Sequence, residues 1–386
     1  MTKSPSPFEL SSEIRNDLKK RMAAVRRVVV KLGTRVIDHP ETRFNAPVAV
    51  DLAHDIADLR AGGVEVVMVS SGAVGLGMRL RNEDRRPRKL AQRQAYAALG
   101  QSELMHQYRE IFRIYGIQVA QVLLTRRDLD ERTSYLNARE SLNELLRLGA
   151  LPIINENDTV AVDELRFSDN DMLAALLAGK IDADLLAILT VVDGLYTDDA
   201  EQRLIPFVRP DDESLLANAK ESDSYRSLGG MRAKIQAAKT ACAAGVLTVI
   251  TNGTRPRILS RLWQVDAPAT WMVPSRHHLA GRKHWIGFGK QPSGGRIRVD
   301  AGAATALREQ GRSLLARGVM AVIGDFSRGD LIEIEDEAGQ VIARGLVHYD
   351  SKDLEKICQK NSAQIKKILQ IDNPPEVIHR DDLVIL

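Results

Sequence analysis

A lysine stands at the end of a strand-like run close to the start of the sequence. The run Val28–Val30 is β-branched throughout, which favours a buried strand, and Lys31 and Gly33 follow it. In open α/β sheets, ligands bind just outside the carboxyl ends of the strands. A lysine there can reach a bound anion, and Gly33 lets the backbone approach a ligand closely. A solvated lysine at a strand edge fits the same residues, so this motif alone leaves both interpretations open.

A second lysine follows a pair of glycines. Gly229 and Gly230 stand directly before a predicted helix, and Lys234 falls in the first turn of that helix. Free backbone N–H groups at a helix N-terminus bind anions, and the helix dipole favours negative charge there. A lysine in the first turn is unfavourable to that dipole, and a bound polyphosphate would reverse this cost. The pattern predicts an anion site at this loop.

Two dense clusters of carboxylates and amides follow a short predicted strand at residues 151–154. The first cluster is Asn155–Asp158 and the second is Ser168–Asp171. Turn formation and helix capping would explain one such cluster, since Asp and Asn favour both. Two clusters favour a site for a substrate that carries an amino group and a carboxylate. Orientation of a lysine, or of a metal-bound phosphate, is the alternative.

The segments that must position these residues alternate between strands and helices. Strands are predicted at residues 28–30, 64–69, 117–124, 151–154, 184–190 and 246–250, with helical patterns between them. Several strands end in polar or small residues, as at Ser70–Ala73, and Gly75 and Gly77 predict that this loop continues toward a helix. The alternation over residues 25–275 predicts a mainly parallel sheet covered by helices.

The two ends of the chain differ from this pattern. Leu10, Ile14, Leu18 and Met22 recur at every fourth position, which predicts an amphipathic helix within residues 1–24, although a disordered tail is the alternative. From about residue 276, short strands are predicted at 297–299, 319–323, 331–335 and 341–347, with small helices near 302–310 and 351–369. This pattern predicts a compact β-barrel-like domain.

Composition excludes several classes of protein. The formal net charge of +3 over 386 residues does not indicate a nucleic-acid or membrane-surface protein. No apolar run approaches the roughly 18 residues that a membrane-spanning helix needs. The two cysteines form neither a disulfide framework nor a metal-ligand spacing, which is consistent with a reducing, cytoplasmic compartment. The sequence also lacks G-x-x-x-x-G-K-[ST], so a P-loop is excluded.

Five segments together resemble the amino acid kinase family, in that family's order and spacing. They are Val30–Thr34, Ser70–Ala73, Ile154–Asp158, Asp169–Asp171, and Gly229–Met231 with Lys234. The resemblance covers about residues 25–386, and it is greatest to the members that phosphorylate the γ-carboxylate of glutamate. The C-terminal segment resembles a PUA domain.

This resemblance implies a three-layer α/β/α sandwich with a mainly parallel sheet, followed by a PUA domain. The implied domains are a kinase domain at 25–275 and a PUA domain at 276–386, with 1–24 as an N-terminal extension. The implied activity is ATP-dependent conversion of L-glutamate to L-glutamyl 5-phosphate, the first step of proline biosynthesis. Mg²⁺ would be bound mainly through the nucleotide phosphates, with no metal ligand predicted in the protein. Inhibition by proline and assembly into a homodimer or homotetramer are also implied.

The resemblance also implies a role for individual residues. Lys31 and Lys234 would straddle the transferred phosphoryl group, and Asp171 would orient the two lysines. The implied glutamate-binding residues are Ser71, Gly72, Asn155, Asp158 and Asn170. The implied ATP-binding residues are Lys31, Thr190, Val191, Leu228, Gly229, Gly230, Met231, Arg232, Ala233 and Lys234.

The chain departs from the family pattern at two places on the nucleotide side. Thr190-Val191 stands where the family often has threonine–aspartate, and Ser227-Leu228 stands where it often has glycine–threonine. Both departures therefore concern the base and ribose contacts of the nucleotide more than its phosphate contacts.

Two other functions remain open. A sister kinase could act on N-acetylglutamate, aspartate, carbamate or a nucleotide monophosphate. An RNA-binding PUA protein is disfavoured, because residues 276–386 contain 17 Lys and Arg against 15 Asp and Glu, a net of only +2.

Overall fold

The computed structural model describes residues 10–38, 44–83, 87, 89–160, 170–197, 203–210, 212, 228–274, 294–371 and 374–385. Contacts divide the chain into two compact units, Met1–Ser275 and Arg276–Leu386. Each unit has its own hydrophobic core and is described by itself.

An eight-stranded sheet forms the centre of the N-terminal unit, with the strand order β3-β4-β2-β1-β5-β9-β10-β8, in which β8 is Phe207–Val208 and β10 is Ala269–Met272. Six of these strands run parallel: β1 (Arg27–Leu32), β2 (Glu65–Ser70), β3 (Val119–Leu124), β4 (Leu151–Glu156), β5 (Leu185–Thr190) and β9 (Leu247–Asn252). Because β1 lies between β2 and β5 and runs parallel to both, the strand that carries Lys31 is central, and the loops that follow both neighbours begin beside its carboxyl end.

Helices cover both faces of this sheet. One face packs against the helices Ser12–Ala24, Ala46–Ala61, Leu90–Arg113 and Ile258–Trp263. The other face packs against the helices Arg126–Asp130, Arg132–Arg147, Asn170–Lys180 and Leu228–Ala243. The mainly parallel three-layer α/β/α architecture expected from the sequence is therefore confirmed.

Strand alternation determines which helices Lys31 meets. Val28 and Val30 contribute to the core on the first face, whereas Val29 contributes to the core on the second face. Because side chains alternate along a strand, Lys31 lies on the same face as Val29. That face is covered by the helices Asn170–Lys180 and Leu228–Ala243, which carry Asp171 and Lys234.

The far side of the sheet was not predicted. β10 (Ala269–Met272) pairs antiparallel with β9, and β8 (Phe207–Val208) pairs with β10. A further two-residue hairpin joins β6 (Leu195–Tyr196) to β7 (Leu204–Ile205). Such short strands give too little periodicity to be distinguished from loops.

The loop predicted through Gly75 and Gly77 is wrong, because both residues lie inside the helix Ala73–Leu80. A Cβ at Gly77 would overlap the carbonyl oxygen of Tyr96, and one at Gly100 would overlap that of Ala73. These two glycines therefore let the helices Ala73–Leu80 and Leu90–Arg113 approach closely.

The helix predicted at the N-terminus is present at Ser12–Ala24. The Ser11 hydroxyl caps it by accepting a hydrogen bond from Ile14 N, and Leu18 and Met22 are fully buried in the core of the N-terminal unit. Within this helix the predicted stripe therefore packs onto the same chain.

The C-terminal unit is built on a five-stranded sheet in the order β12-β11-β13-β14-β15. Its strands are β11 (Arg296–Val299), β12 (Val319–Ile323), β13 (Leu331–Glu335), β14 (Val341–Leu346) and β15 (Leu383–Ile385). Its α-helices are Ala301–Gln310, Ser351–Ile357 and Ser362–Leu369, which lie where small helices were predicted, near 302–310 and 351–369. Among the residues described in both units, none of the helices is long and apolar enough to cross a membrane.

Candidate functional site

The carboxylate of Asp171 lies between the ammonium groups of two lysines. Lys31 Nζ is 2.5 Å from Asp171 Oδ1, and Lys234 Nζ is 2.9 Å from Asp171 Oδ2. Asp171 is fully buried, and the two lysines are 2% and 9% exposed. Residues separated by more than 200 positions in the sequence are thus joined at the carboxyl edge of the sheet.

The charge balance of this group favours a bound anion. Burial alone would raise the pKa of the Asp171 carboxyl, but the ammonium groups of Lys31 and Lys234 outweigh it and hold the pKa below its usual range. Two ammonium groups and one ionised carboxylate leave one net positive charge in a nearly dry environment. Asp171 also lies in the first turn of the helix Asn170–Lys180, where the helix dipole favours a negative side chain.

Lys234 differs from its prediction in one respect. The helix begins at Leu228, so Gly229 and Gly230 form part of its first turn and Lys234 lies in the second turn. The Lys234 ammonium also donates to the carbonyl oxygen of Gly230, at 3.2 Å. The glycines do not break the helix, because its start tolerates them better than its interior does.

A set of side-chain amides lies beside the two lysines, at the ends of β2 and β4. The Asn170 amide nitrogen lies 2.9 Å from Ser70 O, 2.7 Å from Ser71 Oγ and 2.8 Å from Asn155 Oδ1. Asn155 and Asn170 are buried, and Ser71 is half-buried. Ser168 and Asp169 of the second predicted cluster lie outside the described residues.

Gly72 shapes the loop between Ser71 and the helix Ala73–Leu80. Its φ of 110° lies in the region that favours glycine, and a Cβ there would come within 3.0 Å of Ile37 Cδ1. The backbone of this loop can therefore turn sharply beside Asn170.

Asp158 lies in the turn after β4 and lines a pocket of about 320 Å³. Gln121 and Leu123 of β3 line the same pocket, as does Gln101 of the helix Leu90–Arg113. Asp158 is half-buried, which suits a side chain that contacts a bound ligand.

Sequence reasoning missed Gln101 and Tyr108. The Asn155 amide nitrogen donates to Gln101 Oε1 at 2.8 Å, and the Tyr108 hydroxyl lies 2.8 Å from Ser70 Oγ. Burial raises the pKa of Tyr108 above its usual value. Both lie on the buried stripe 97, 101, 104 and 108 of one helix. A polar residue within such a buried stripe was the sequence signal that could have identified both residues.

A family model for the amino acid kinase family matches residues 26–252, and a second model, for the PUA domain, matches residues 295–369. The first match alone spans more than half of the chain. The chain belongs to the amino acid kinase family.

Curated proteins of this family resemble the chain over nearly its whole length. A glutamate 5-kinase of Geobacter sulfurreducens is 44% identical over 369 residues, which are 95% of this chain and 99% of that protein. A glutamate 5-kinase of Herpetosiphon aurantiacus is 46% identical over 362 residues, or 93% of this chain and 98% of that protein. Among solved structures, carbamate kinase from Giardia lamblia bound to AMP-PNP matches with a TM-score of 0.48 and 14% identity, over 65% of this chain and 99% of that one.

The nucleotide side implied by the family pattern lies on the opposite flank of β1 from the amides. Thr190 ends β5 and its carbonyl accepts a hydrogen bond from Gly253 N, at 2.8 Å. Val191 follows, half-buried against the core. The remaining candidates, Leu228 to Ala233, form the first six residues of the helix that carries Lys234. Ser227 lies outside the described residues.

Proposed function

We propose that the chain transfers the γ-phosphoryl group of ATP to the γ-carboxylate of L-glutamate, forming L-glutamyl 5-phosphate in the first step of proline biosynthesis. Relatives named glutamate 5-kinase, 42–46% identical over at least 93% of the chain, support this substrate and reaction. The single structural observation that carries the proposal is the pair of buried lysine ammonium groups on one carboxylate.

Phosphoryl transfer to a carboxylate requires fixed positive charge, which the two lysines supply. The γ-carboxylate of glutamate is ionised at neutral pH and is already a nucleophile, so the reaction needs no general base. An oxygen of this carboxylate bonds to the γ-phosphorus while the bond from that phosphorus to the bridging oxygen of ADP breaks. The obstacle is repulsion between two anions and the charge that spreads over the moving phosphoryl group.

In this proposal Lys31 and Lys234 offset that repulsion from fixed positions. Asp171 holds both ammonium groups in place before the substrates arrive, so little reorganisation is needed during the reaction. The same carboxylate also keeps the site from carrying two uncompensated charges when it is empty.

The glutamate would bind on the β2 and β4 side of the lysines. We assign its contacts to Ser71, Gly72, Asn155, Asp158 and Asn170. Hydroxyl, amide and backbone N–H groups suit the carboxylates of glutamate, and the carboxylate of Asp158 suits its α-ammonium group.

The nucleotide would bind on the β5 side. The N-terminus of the helix Leu228–Ala243 supplies backbone N–H groups and a favourable dipole for phosphates. We assign Lys31, Thr190, Val191 and the residues from Leu228 to Lys234 to this site.

Mg²⁺ would enter this site with the nucleotide. In the described part of the chain, no three carboxylate, imidazole or thiol groups converge to hold a metal ion. Following the family resemblance, we assign the ion to the phosphate oxygens, where it would neutralise charge on the nucleotide.

An ATPase assay that depends on the acceptor tests the proposal. L-Glutamate should stimulate ADP release, and hydroxylamine should trap the acyl phosphate as a hydroxamate. N-Acetylglutamate, aspartate and carbamate are tested in parallel at equal concentration. Greater turnover with one of these acids than with glutamate would reassign the substrate.

Inhibition by proline and homo-oligomerisation belong to the same proposal. Proline carries the α-carboxylate and α-amino group that glutamate carries, so it would compete for the acceptor site. Rising glutamate should relieve the inhibition, and light scattering should give the mass of two or four chains. Noncompetitive inhibition would place proline elsewhere.

A further inference from the structure

The three buried amides beside the lysines form a chain whose hydrogen-bond direction is fixed. Glu156 N donates to Asn155 Oδ1 at 2.9 Å, and Asn170 donates to Ser70 O. A backbone N–H can only donate and a carbonyl can only accept, so these two contacts determine which way Asn155 and Asn170 face. Asn155 must then donate from its nitrogen to Gln101 Oε1.

This direction leaves one unpaired group at each end of the chain of amides. Among the described residues, Gln101 Nε2 and Asn170 Oδ1 are buried atoms without a hydrogen-bond partner. An unpaired buried donor is destabilising, and a ligand that accepts its hydrogen bond would remove that penalty. Gln101 is 92% buried, since only 8% of it is exposed, and it lines the pocket that Asp158 also lines.

The position of Gln101 indicates which part of a substrate it would meet. Its partner Asn155 lies on β4, two strands away from Lys31 on β1, and neighbouring strands are about 4.8 Å apart. Four carbon–carbon bonds of about 1.5 Å separate the two carboxylates of glutamate. The chain of amides connects the two places: Asn170 is the neighbour of Asp171, which contacts both lysines, and Asn170 and Asn155 lead from it to Gln101. In this proposal a glutamate with its γ-carboxylate at the lysines lies along these amides, with its other end toward Gln101.

We propose that Gln101 binds the α-carboxylate of the acceptor amino acid through its Nε2 group, while its Oε1 holds Asn155 in place. Gln101 would thereby select acceptors that carry a carboxylate at the end remote from the phosphoryl group. This inference rests on the proposed glutamate kinase activity and adds a residue that determines its specificity.

The substitution Gln101→Glu separates the two contacts proposed for Gln101, from Nε2 to the α-carboxylate and from Oε1 to Asn155. A glutamate at position 101 keeps an oxygen that can accept from Asn155, but it replaces the donor by a negative charge. Gln107→Glu is the matched control, because it makes the same change on the same helix, six residues or about 9 Å further along. Gln107 donates to Glu103 and does not line the pocket.

The test compares L-glutamate with L-isoglutamine, in which the α-carboxylate is replaced by a neutral amide that can donate to an acid. Each is titrated with the wild-type chain and both variants, with isoglutamine measured as an inhibitor of glutamate phosphorylation. In Gln101→Glu we expect the KM for glutamate to rise at least about tenfold, the loss of a charge-assisted hydrogen bond, with a much smaller change in kcat. Isoglutamine should bind Gln101→Glu at least as tightly as it binds the wild type.

Two results would overturn the proposal: an unchanged glutamate KM in Gln101→Glu, or equal weakening of glutamate and isoglutamine. Equal weakening would mean that Gln101 supports the fold of the pocket without contacting the α-carboxylate. Absence of glutamate phosphorylation in the wild-type chain would instead refute the proposed function.

Discussion

Two fully buried carboxylates in the N-terminal unit, Asp171 and Asp55, have opposite surroundings. Asp55 accepts from Leu259 N at 2.9 Å and from Ser260 Oγ at 2.5 Å, and it pairs with Arg257 Nε at 2.8 Å. Asp171 contacts two ammonium groups. Burial of a charge is therefore common to both sites and does not by itself indicate a function.

The partners of Asp55 have a structural role. They lie at the start of the helix Ile258–Trp263, where Arg257 has a φ of 54° and offers no capping side-chain bond. Asp55 lies on the helix Ala46–Ala61 and accepts hydrogen bonds at the N-terminus of Ile258–Trp263. It therefore links the two helices. Arg257 also pairs with Asp58, which gives this group of charges a negative balance.

The partners of Asp171 instead leave a positive balance. Its two lysines come from a strand and a helix, and their surplus charge lies at the carboxyl edge of the sheet, where ligands bind. Two features therefore distinguish the candidate active site from the structural ion pair. They are the positive sign of its net charge and its position at the carboxyl edge of the sheet.

The largest loss of activity is expected when one of the two lysines is removed. Lys31→Ala or Lys234→Ala should lower kcat by about 10²–10³-fold or more, because fixed charge that stabilises the transition state is lost. Lys239→Ala, on the same helix as Lys234, is the control and should keep its turnover. Near-normal kcat in both lysine variants would refute the two-lysine mechanism.

Removal of Asp55 should affect stability without affecting chemistry. Asp55→Ala leaves Arg257 without its buried partner and a helix start without a cap, so we expect the free energy of unfolding to fall by about 2–4 kcal/mol. Asp58→Ala, at an exposed partner of the same arginine, should cost less than about 1 kcal/mol. Urea denaturation measures both, and a large loss of kcat in folded Asp55→Ala would contradict the structural role.

Asp158 should behave differently from the lysines. Because it is proposed to contact the bound glutamate, Asp158→Ala should raise the KM for glutamate about tenfold and change kcat less. Asp130→Ala, on an exposed helix end, is the control. If kcat falls while KM stays constant, Asp158 acts in the transition state and not in binding.

The smallest expected effect is a pH dependence specific to Asp171. Its folded-state pKa is lowered, so the stability it contributes is present above its unfolded pKa, about 3.9, and is lost as the pH falls through the folded value. The difference in unfolding free energy between the wild type and Asp171→Asn should be constant above about pH 5 and shrink below about pH 4. A difference that grows with acid would mean that the pKa is raised.

Local sequence was sufficient for most of the parallel sheet. The buried runs ending at Lys31, Ser70 and Thr190 predicted strands, because β-branched and aliphatic residues favour a covered, pleated surface. The C-terminal strands β12 and β13 match their predicted bounds for the same reason. The antiparallel strand β10 and the helical position of Gly77 were missed, since β10 pairs with another strand and Gly77 packs against the helix Leu90–Arg113.

For the candidate site, local sequence was enough to predict the residue types and where they stand in the chain: Lys31 near the end of a strand, the Asn155–Asp158 cluster, and the glycines before Lys234. The family resemblance implied that Asp171 orients the two lysines, but the contacts that place its carboxylate between them, and the position of Gln101 at the end of the chain of amides, come from the tertiary structure. The reason is geometric. The order β4-β2-β1-β5 and the helices that cross over the sheet bring together side chains from distant parts of the sequence, and no local pattern encodes which of them meet.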